Sequence, residues 1–278
     1  MKRTFGAAIA AGPMGLGARV GVVLYLLFLV LIPLAAIVER GFAGGVGGIW
    51  HAVVSPMAAH ALVLTLWTAA LMAVVNAVMG TATAWILVRH PFPGSRFLAT
   101  LVDLPFAIPT LVAGIMLVTL FGPQTALGGW LTVHGVPIVF ATPGIILALL
   151  FITMPLVVRA VEPVLIELDP AEEEAAATLG AKPWTTFFRV VLPPILPAVA
   201  SGTIQCFARA VAEFGSVVVV SGNIPGKTLT APVYIFGEVE GDRPVVAAAV
   251  SVVLLLVAVG LLLATRVLQQ QFVRRERA

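Results

Sequence analysis

Residues 168–194, LDPAEEEAAATLGAKPWTTFFRVVLPP, form a polar and partly charged segment between two long apolar stretches. Asp169 suits the N-cap of a helix, the proline after it suits the first helical position, and a glutamate stands three residues after the cap, as in a capping box. Acidic residues in the first turn complement the helix dipole, and Gly180 favours a left-handed C-terminus. The pattern predicts a helix over residues 170–179. Because so short a helix is marginal in water, we expect another surface to hold it.

The composition of the whole chain is that of an integral membrane protein. The chain has 278 residues, is 60% hydrophobic and only 10% charged, and has a mean hydropathy of +1.09. A soluble domain is about a quarter charged. The single cysteine, Cys206, excludes an internal disulfide. Nucleic-acid binding has no support, because no basic run with interleaved aromatic residues is present.

Six apolar segments are each long enough to cross about 30 Å of hydrocarbon as a helix. They predict an all-α integral membrane fold with six transmembrane helices, separated by loops that include residues 39–57 and 122–142. Residues 1–19 are then a cytoplasmic N-terminal tail, 20–268 the membrane domain and 269–278 a C-terminal tail. A cleaved signal peptide is the alternative for the first segment, which starts late and is long for one. The segments are residues 20–38, 58–88, 98–121, 143–161, a stretch within 195–220, and 245–267.

The basic residues orient these spans in the membrane. With the N-terminus inside, twelve of the sixteen lysines and arginines fall in cytoplasmic segments, three fall in outer loops, and Arg209 lies within a span. This asymmetry agrees with the positive-inside rule. Both termini and the 168–194 segment are therefore predicted to be cytoplasmic, in a multi-pass protein of the plasma membrane.

The fifth span carries a polar stripe, consisting of Ser201, Gln205, Arg209, Glu213 and Ser216. On a continuous helix these residues fall within an arc of about 120°. Charges at membrane depth normally face a bundle interior or a water-filled path. Two interpretations remain open: the stripe lines a translocation path, or Arg209 and Glu213 pair with each other and tie the helix to its neighbours.

Three other features carry weaker signals. Asp103, near the start of the third span, either meets a basic residue or is a solvated charge favoured by the helix dipole. Residues 222–228, GNIPGKT, resemble a phosphate-binding loop but have three residues instead of four between the glycines, so we predict no ATP binding by this chain. We assign no metal site, because the four histidines lack ligand spacing: His51, His60, His90 and His134.

Residues 174–193 resemble the cytoplasmic EAA loop of bacterial ABC-importer permeases. The matching residues are Glu174-Ala175-Ala176, Gly180, Val190 in place of the usual isoleucine, and Leu192-Pro193. The resemblance implies that the predicted helix is a coupling helix, which docks in a groove on a separate ATP-hydrolysing subunit through Glu174, Ala175, Ala176 and Gly180. An ordinary amphipathic connector between two spans is the alternative.

Three further strings are similar to the permeases of sulfate and thiosulfate importers, of the T and W type. They are LVDLPFAIP at 101–109, ATPGIILALLFITMPLVVR at 141–159 and FARAVAEFGSVVVVSGNI at 207–224. The resemblance implies a type I ABC-importer permease architecture in the bacterial inner membrane. The family usually has glycine at the position of Ala212, a departure that bears on close helix packing there.

The same resemblance implies the partners and the mechanism. A second, homologous permease, two ATP-binding subunits and an extracytoplasmic sulfate-binding protein are expected, with ATP and Mg bound by the partner ATPase and no cofactor bound by this chain. The chain would carry out no covalent chemistry and would provide a gated path by alternating access. Open alternatives are the T or the W subunit, a molybdate or tungstate permease, and, from a different class, a proton-coupled secondary anion transporter.

Overall fold

The computed structural model describes residues 13–275, without the side chains of residues 13–16, 262 and 265–275. This part of the chain folds into twelve helices, the first preceded by a helical turn from Pro13. They are α1 (Gly17–Gly41), α2 (Gly45–Val54), α3 (Pro56–Arg89), α4 (Ser95–Ala107), α5 (Thr110–Phe121), α6 (Ala126–Val133), α7 (Thr142–Glu167), α8 (Pro170–Thr178), α9 (Pro183–Val211), α10 (Gly215–Val220), α11 (Ala231–Glu240) and α12 (Pro244–Arg275).

Five of these helices are long and apolar enough to cross a membrane, and α4 with α5 forms a sixth, bent candidate. The five are α1, α3, α7, α9 and the part of α12 from Pro244 to Leu261. Hydrophobic side chains cover the outside of the bundle, as expected where the solvent is lipid. The predicted all-α membrane fold with six spans is therefore confirmed.

The third span is broken rather than merely interrupted by prolines. The axes of α4 and α5 differ by 112°. Ile108 takes an extended conformation because the following Pro109 disfavours the helical one, and Pro109 has no N–H to continue the ladder. Pro105 is accommodated inside α4. The predicted third span over residues 98–121, with prolines interrupting it, is thus two helices joined at a sharp angle.

The fifth span is also broken, and the expectation that the stripe from Ser201 to Ser216 follows one continuous helix is wrong. α9 ends at Val211, and α10 begins at Gly215 after three residues outside the helical ladder. Gly215 lies so close to α5 that a Cβ atom placed on it would come within 2.2 Å of Thr110 Oγ1. The chain therefore leaves its helix where it must approach a neighbouring one.

The predicted loops and tails contain more helix than expected. α2 lies within residues 39–57, and α6 lies within 122–142, where the Thr125 hydroxyl caps the helix by accepting a hydrogen bond from the Gly128 N–H at 2.9 Å. Helix begins before residue 20 and continues past residue 268. The remainder of the predicted tails, residues 1–12 and 276–278, lies outside the described residues.

α3, α7 and α9 pack side by side and form the centre of the bundle. Val157 of α7 lies between two glycines. A Cβ atom on Gly80 of α3 would lie 2.8 Å from the Val157 Cβ, and one on Gly202 of α9 would lie 3.0 Å from the Val157 Cα. Small residues bring helices together in membranes, where burial of apolar surface gives little driving force.

A buried polar group joins the same three helices. The Asn76 amide of α3 donates to the Thr153 hydroxyl of α7 at 2.8 Å and to the Cys206 sulfur of α9 at 3.4 Å. Thr153 in turn donates to the Leu149 carbonyl at 2.7 Å. Interhelical bonds of this kind contribute about 0.6 kcal/mol each on average in membrane bundles.

The first span stands apart from this core. No residue in the most apolar part of α1 is buried within the described chain. Its main contact is with α12, where Gly41 approaches Val252 and Ala248. The outer surface of α1 is thus left for lipid or for another subunit.

We predict that Gly80→Val destabilises the isolated chain in detergent by about 1–3 kcal/mol, because the added atoms overlap Val157 in a packed core. Thermal unfolding of the purified protein measures the change. Gly21→Val is the matched control, since Gly21 lies in a span with no neighbour within 4 Å. Equal effects of the two substitutions would contradict the close approach of α3 and α7.

Candidate functional site

The predicted short helix is present as α8, and both of its ends are fixed by hydrogen bonds. The Asp169 side chain accepts from the Ala171 N–H at 3.0 Å, which confirms it as the N-cap. The full capping box is not observed among the described residues, since the Glu172 N–H bonds to the Asp169 carbonyl at 3.2 Å. Glu172 and Glu173 lie in the first turn, as the helix dipole favours.

The C-terminus of α8 is a Schellman motif. Gly180 has φ +82°, its N–H bonds to the Ala177 carbonyl at 2.9 Å, and the Ala181 N–H bonds to the Ala176 carbonyl at 3.0 Å. Leu179 is the C-cap and not a helical residue, so the predicted end was one residue too long. The left-handed conformation predicted for Gly180 is confirmed.

α8 presents an open surface. None of its residues is buried, and the predicted coupling residues Glu174, Ala175 and Gly180 are exposed while Ala176 is half-buried. Leu179, next to them, is 88% exposed. A short helix with an exposed leucine and a row of alanines has the small, partly apolar face that a partner subunit can approach closely.

Arg89, the last residue of α3, holds α8 against the bundle. Its Nε donates to Glu173 Oε1 at 2.6 Å, and its Nη2 donates to the Leu168 carbonyl at 2.7 Å. One guanidinium thus joins the ends of α3 and α7 to the first turn of α8. The role of Arg89 was not predicted from the sequence. Glu173 is one of three adjacent glutamates, and nothing in the sequence indicates which of them pairs with an arginine.

A second ion cluster joins α4 to α7. Arg159 contacts both carboxylate oxygens of Asp103, one through Nε at 2.6 Å, and also contacts Glu162 and the Ala99 carbonyl. The interpretation of Asp103 as a merely solvated charge is therefore wrong. Because these ion pairs are half-exposed, they contribute little to stability. Their main effect is to orient α4 relative to α7.

The predicted pair of Arg209 and Glu213 is present, at 2.6 Å between Nη1 and Oε2. The environments of the two side chains differ: Arg209 is 40% exposed and Glu213 is 1% exposed. The other oxygen of Glu213 accepts from the N–H and from the hydroxyl of Ser216, each at 3.0 Å. Glu213 therefore connects the end of α9 with the start of α10.

Only part of the predicted stripe follows one helix. Gln205 is exposed on α9, one turn before Arg209, and donates to the Ser201 hydroxyl at 3.3 Å. Ser216 is buried on α10, and it belongs to the group only through Glu213. The structure thus assembles two parts, an exposed polar face on α9 and a buried link across the break.

The two broken spans meet each other. A Cβ atom on Gly114 of α5 would lie 2.7 Å from the Ser216 carbonyl oxygen, and Gly215 contacts Thr110 at the start of α5. Irregular backbone at membrane depth is tolerated where protein or a cavity satisfies it. The breaks at residues 108–109 and 212–214 are therefore brought near each other, a feature of many transporter folds.

Ala212 does not disturb this region. Its φ of −88° is open to any residue, and its methyl group is exposed. The packing concern raised by alanine in place of glycine is thus removed.

Residues 76–277 match the family described as binding-protein-dependent transport system inner membrane component. The chain belongs to this family. The match covers α7, α8, α9, both broken spans and α3 from residue 76 onward, so the predicted class of membrane permease is confirmed.

Individual relatives span almost the whole chain. A probable sulfate transport system permease protein cysT from Nephroselmis olivacea is 42% identical over 246 residues, 88% of this chain and 87% of the relative. A sulfate transport system permease protein CysW from Synechocystis sp. is 40% identical over 247 residues, 89% of this chain and 90% of the relative. The chain is therefore similar to permeases of both types.

A solved structure shows the same fold. The crystal structure of a bacterial alginate ABC transporter in complex with alginate pentasaccharide-bound periplasmic protein contains a chain that superposes with a TM-score of 0.78. The superposition covers 96% of this chain and 98% of the other, at 18% identity. It confirms the predicted type I ABC-importer permease architecture.

We predict that Arg89→Gln loosens α8 without unfolding the bundle, because it removes the charge-assisted bond to Glu173. Amide exchange over residues 170–181 should become about tenfold faster, in line with a loss of about 1–2 kcal/mol. Hydrogen–deuterium exchange with peptide mass spectrometry measures this rate. Arg96→Gln is the control, since Arg96 is an exposed arginine on α4. Unchanged exchange in Arg89→Gln would show that the clamp does not hold α8.

We predict that Glu213→Ala lowers the amount of protein in the membrane. The substitution leaves the buried Ser216 N–H without its acceptor, at a cost of about 1–3 kcal/mol. If Glu213 served the translocation path alone, the expected result would be the opposite, normal abundance with reduced transport. Quantitative immunoblotting of isolated membranes decides between them, with Gln205→Ala, an exposed substitution on the same helix, as the control.

Proposed function

We propose that this chain is the permease subunit of an ATP-driven importer that carries sulfate or thiosulfate into the cytoplasm. The observation that carries the proposal is α8, an open, capped helix held to the ends of α3 and α7 by Arg89. A family relationship over residues 76–277 and the names of the relatives support the transport role and the choice of substrate.

ATP and Mg would be bound by a separate subunit that docks on α8. The small side chains of Ala175 and Ala176 permit close approach, and Gly180 ends the helix sharply so that its face stays open. Movement of α8 would pass to α3 through Arg89, to α7 through Leu168, and to α9 through the short segment after Gly180. The ATPase thereby biases two states of the bundle, as alternating access requires.

The exposed polar face of α9 supports a path for an anion. Gln205 is exposed and the Arg209 side chain is 40% exposed within this chain, and such groups are costly to leave against lipid. A water-filled path beside α9 would relieve that cost. Arg209 would then supply positive potential to a passing dianion, with buried Glu213 fixing its position.

The remaining subunits would complete the path and deliver the substrate. We propose a second, related permease, two ATP-binding subunits and an extracytoplasmic sulfate-binding protein. This chain would lie in the inner membrane with both of its termini in the cytoplasm. The outward surface of α1, unburied within this chain, supports the presence of a neighbouring subunit. Membership of a binding-protein-dependent family argues against the proton-coupled carrier considered from the sequence.

Uptake of radiolabelled sulfate tests the proposal, in a strain deleted for its own sulfate permeases and expressing this chain with its partner subunits. We expect uptake that excess thiosulfate suppresses more than equal molybdate does, because sulfate and thiosulfate would share the path. Stronger suppression by molybdate would instead assign the chain to the molybdate or tungstate class, and absence of uptake would reject the sulfate proposal.

Two glycine substitutions, one in the C-terminal turn of α8 and one in a matched control turn, test the coupling role of α8 separately. Gly180→Val should reduce uptake at least about tenfold, because valine strains the left-handed turn that ends α8. Gly135→Val is the matched control: Gly135 has φ +81°, follows α6 and likewise has no neighbour within 4 Å. Equal losses of uptake in the two variants, at equal abundance, would contradict a special role of α8.

A further inference from the structure

α4, the first half of the broken third span, is only loosely packed against the rest of the bundle. Of its 13 residues only Val102 and Pro105 are buried, whereas large side chains such as Phe97 and Phe106 are exposed. α7, the helix that α4 lies against, has 11 buried residues among 26. Apolar packing alone therefore holds α4 weakly.

Both ends of α4 are places where the chain changes direction. At its end, the extended residue Ile108 and Pro109 separate it from α5, whose axis differs by 112°. At its start, Gly94 has φ +95° and lies in open space. Hinges are usually a few residues at the ends of helices or in loops that absorb changes of φ and ψ. The geometry thus allows α4 to rotate as one piece about residues 108–109.

Arg159 supplies the side-chain hydrogen bonds that join α4 to α7. Its Nε donates to Asp103 Oδ1 at 2.6 Å, its Nη2 contacts the other oxygen of Asp103, and the same nitrogen donates to the Ala99 carbonyl at 3.2 Å. One guanidinium on α7 thus holds a carboxylate and a backbone carbonyl of α4. Because the apolar contact is small, this link decides whether α4 stays on α7.

The link can open without leaving a charge unpaired in the protein interior. Arg159 also contacts Glu162 on its own helix, so the guanidinium keeps a carboxylate partner when α4 moves away. The Asp103 side chain is 46% exposed, so water can solvate it once it is released. Exposed ion pairs contribute little to stability. The contact between Asp103 and Arg159 is therefore reversible.

Two other ion pairs of the bundle lack this property. Glu213 is 1% exposed, and the side chains of Arg89 and Glu173 are 12% and 20% exposed. Separating either pair would strand a charge that water reaches poorly, which is strongly unfavourable. These pairs are permanent ties, whereas the pair between α4 and α7 is built to release.

The Arg159 cluster lies toward the same end of the bundle as α8. Arg159 is eight residues, about 12 Å, from Glu167 at the end of α7. α4 begins at Ser95, only six residues after Arg89, and Arg89 is bonded to the first turn of α8. A displacement of α8 therefore reaches the start of α4 through one short turn.

We propose that α4 swings about residues 108–109 during the transport cycle, and that the contact between Asp103 and Arg159 is the latch that holds it on α7. The inference rests on the proposed function, because a partner ATPase supplies the motion through α8. When the latch opens, the half of the third span nearest α8 separates from the core, while α5 stays packed on α10. Glu162 keeps Arg159 in place, so that the latch can close again.

A spin-label distance in the complete transporter tests the movement. Cysteines replace Phe97 on α4 and Ile166 near the end of α7, both exposed, while the native Cys206 is buried and should not take a label. Phe97 is about 17 Å from the break, so a rotation of about 15° would move it by about 4 Å. We expect double electron–electron resonance to show a change of that size between nucleotide-free and vanadate-trapped complexes.

The matched control is a label pair at Ile86 and Ile166. It shares its second site with the test pair and joins α3 to α7, which pack closely, so its distance should stay constant. A constant distance between Phe97 and Ile166 in a complex that hydrolyses ATP would overturn the proposal. Equal changes in both pairs would overturn it as well, because the motion would then belong to α7.

Asp103→Asn tests the latch itself and needs no ATP. An amide accepts from Arg159 more weakly than a carboxylate does, so the population at the swung-out distance should rise at least about fivefold in the nucleotide-free complex. Arg159→Gln, which removes the other half of the latch, should have the same effect. Thr100→Val, an exposed substitution on the same helix, is the control.

The two failures can be told apart. A tie with a purely structural role would lower the amount of protein in the membrane and leave a single distance in both latch variants, and that result would overturn the proposal. A complex that hydrolyses no ATP would instead reject the proposed function, and the comparison of latch variants without nucleotide would still decide whether Asp103 and Arg159 hold α4.

Discussion

The close approach of α3, α7 and α9 around Val157 is the constraint on which the rest of the structure depends. With glycine on both sides, the three helices come together as they could not with any larger residue. This approach sets the separation of the helix ends, so that Arg89 at the end of α3 reaches both the Leu168 carbonyl and Glu173. The position of α8 therefore follows from packing inside the bundle, although α8 itself buries none of its residues.

The bilayer explains how the two broken spans are built. Backbone N–H and C=O groups that lose their helical partners cannot be left facing hydrocarbon. At each break, other protein groups must therefore form hydrogen bonds with them. Glu213 meets this requirement for α10 by accepting from the Ser216 N–H while it pairs with Arg209. Small residues then let α5 and α10 lie against each other. An ion pair, a cap and glycine contacts thus act together at one place.

Sequence reasoning was most successful where local physics decides the outcome. Hydrophobic length identified the spans, and capping chemistry placed α8 from Asp169 to Gly180 nearly to the residue. It failed where tertiary contacts decide: the break after Val211 depends on how close Gly215 must come to Thr110, which no local pattern reveals. The choice of Glu173 as the partner of Arg89, and of Arg159 as the partner of Asp103, likewise depends on the relative rotation of separate helices.

The tightness of the three-helix core limits where the molecule can bend. Val157 leaves no slack for α3, α7 and α9 to slide past one another, and Asn76 adds a cross-link at the same level. We therefore expect these three helices to move together as one rigid unit. Any reorientation of the bundle has to be absorbed at the joints, residues 108–109 and 212–214, where the backbone has already left the helix. The two helix breaks are thus the places where we expect this bundle to bend.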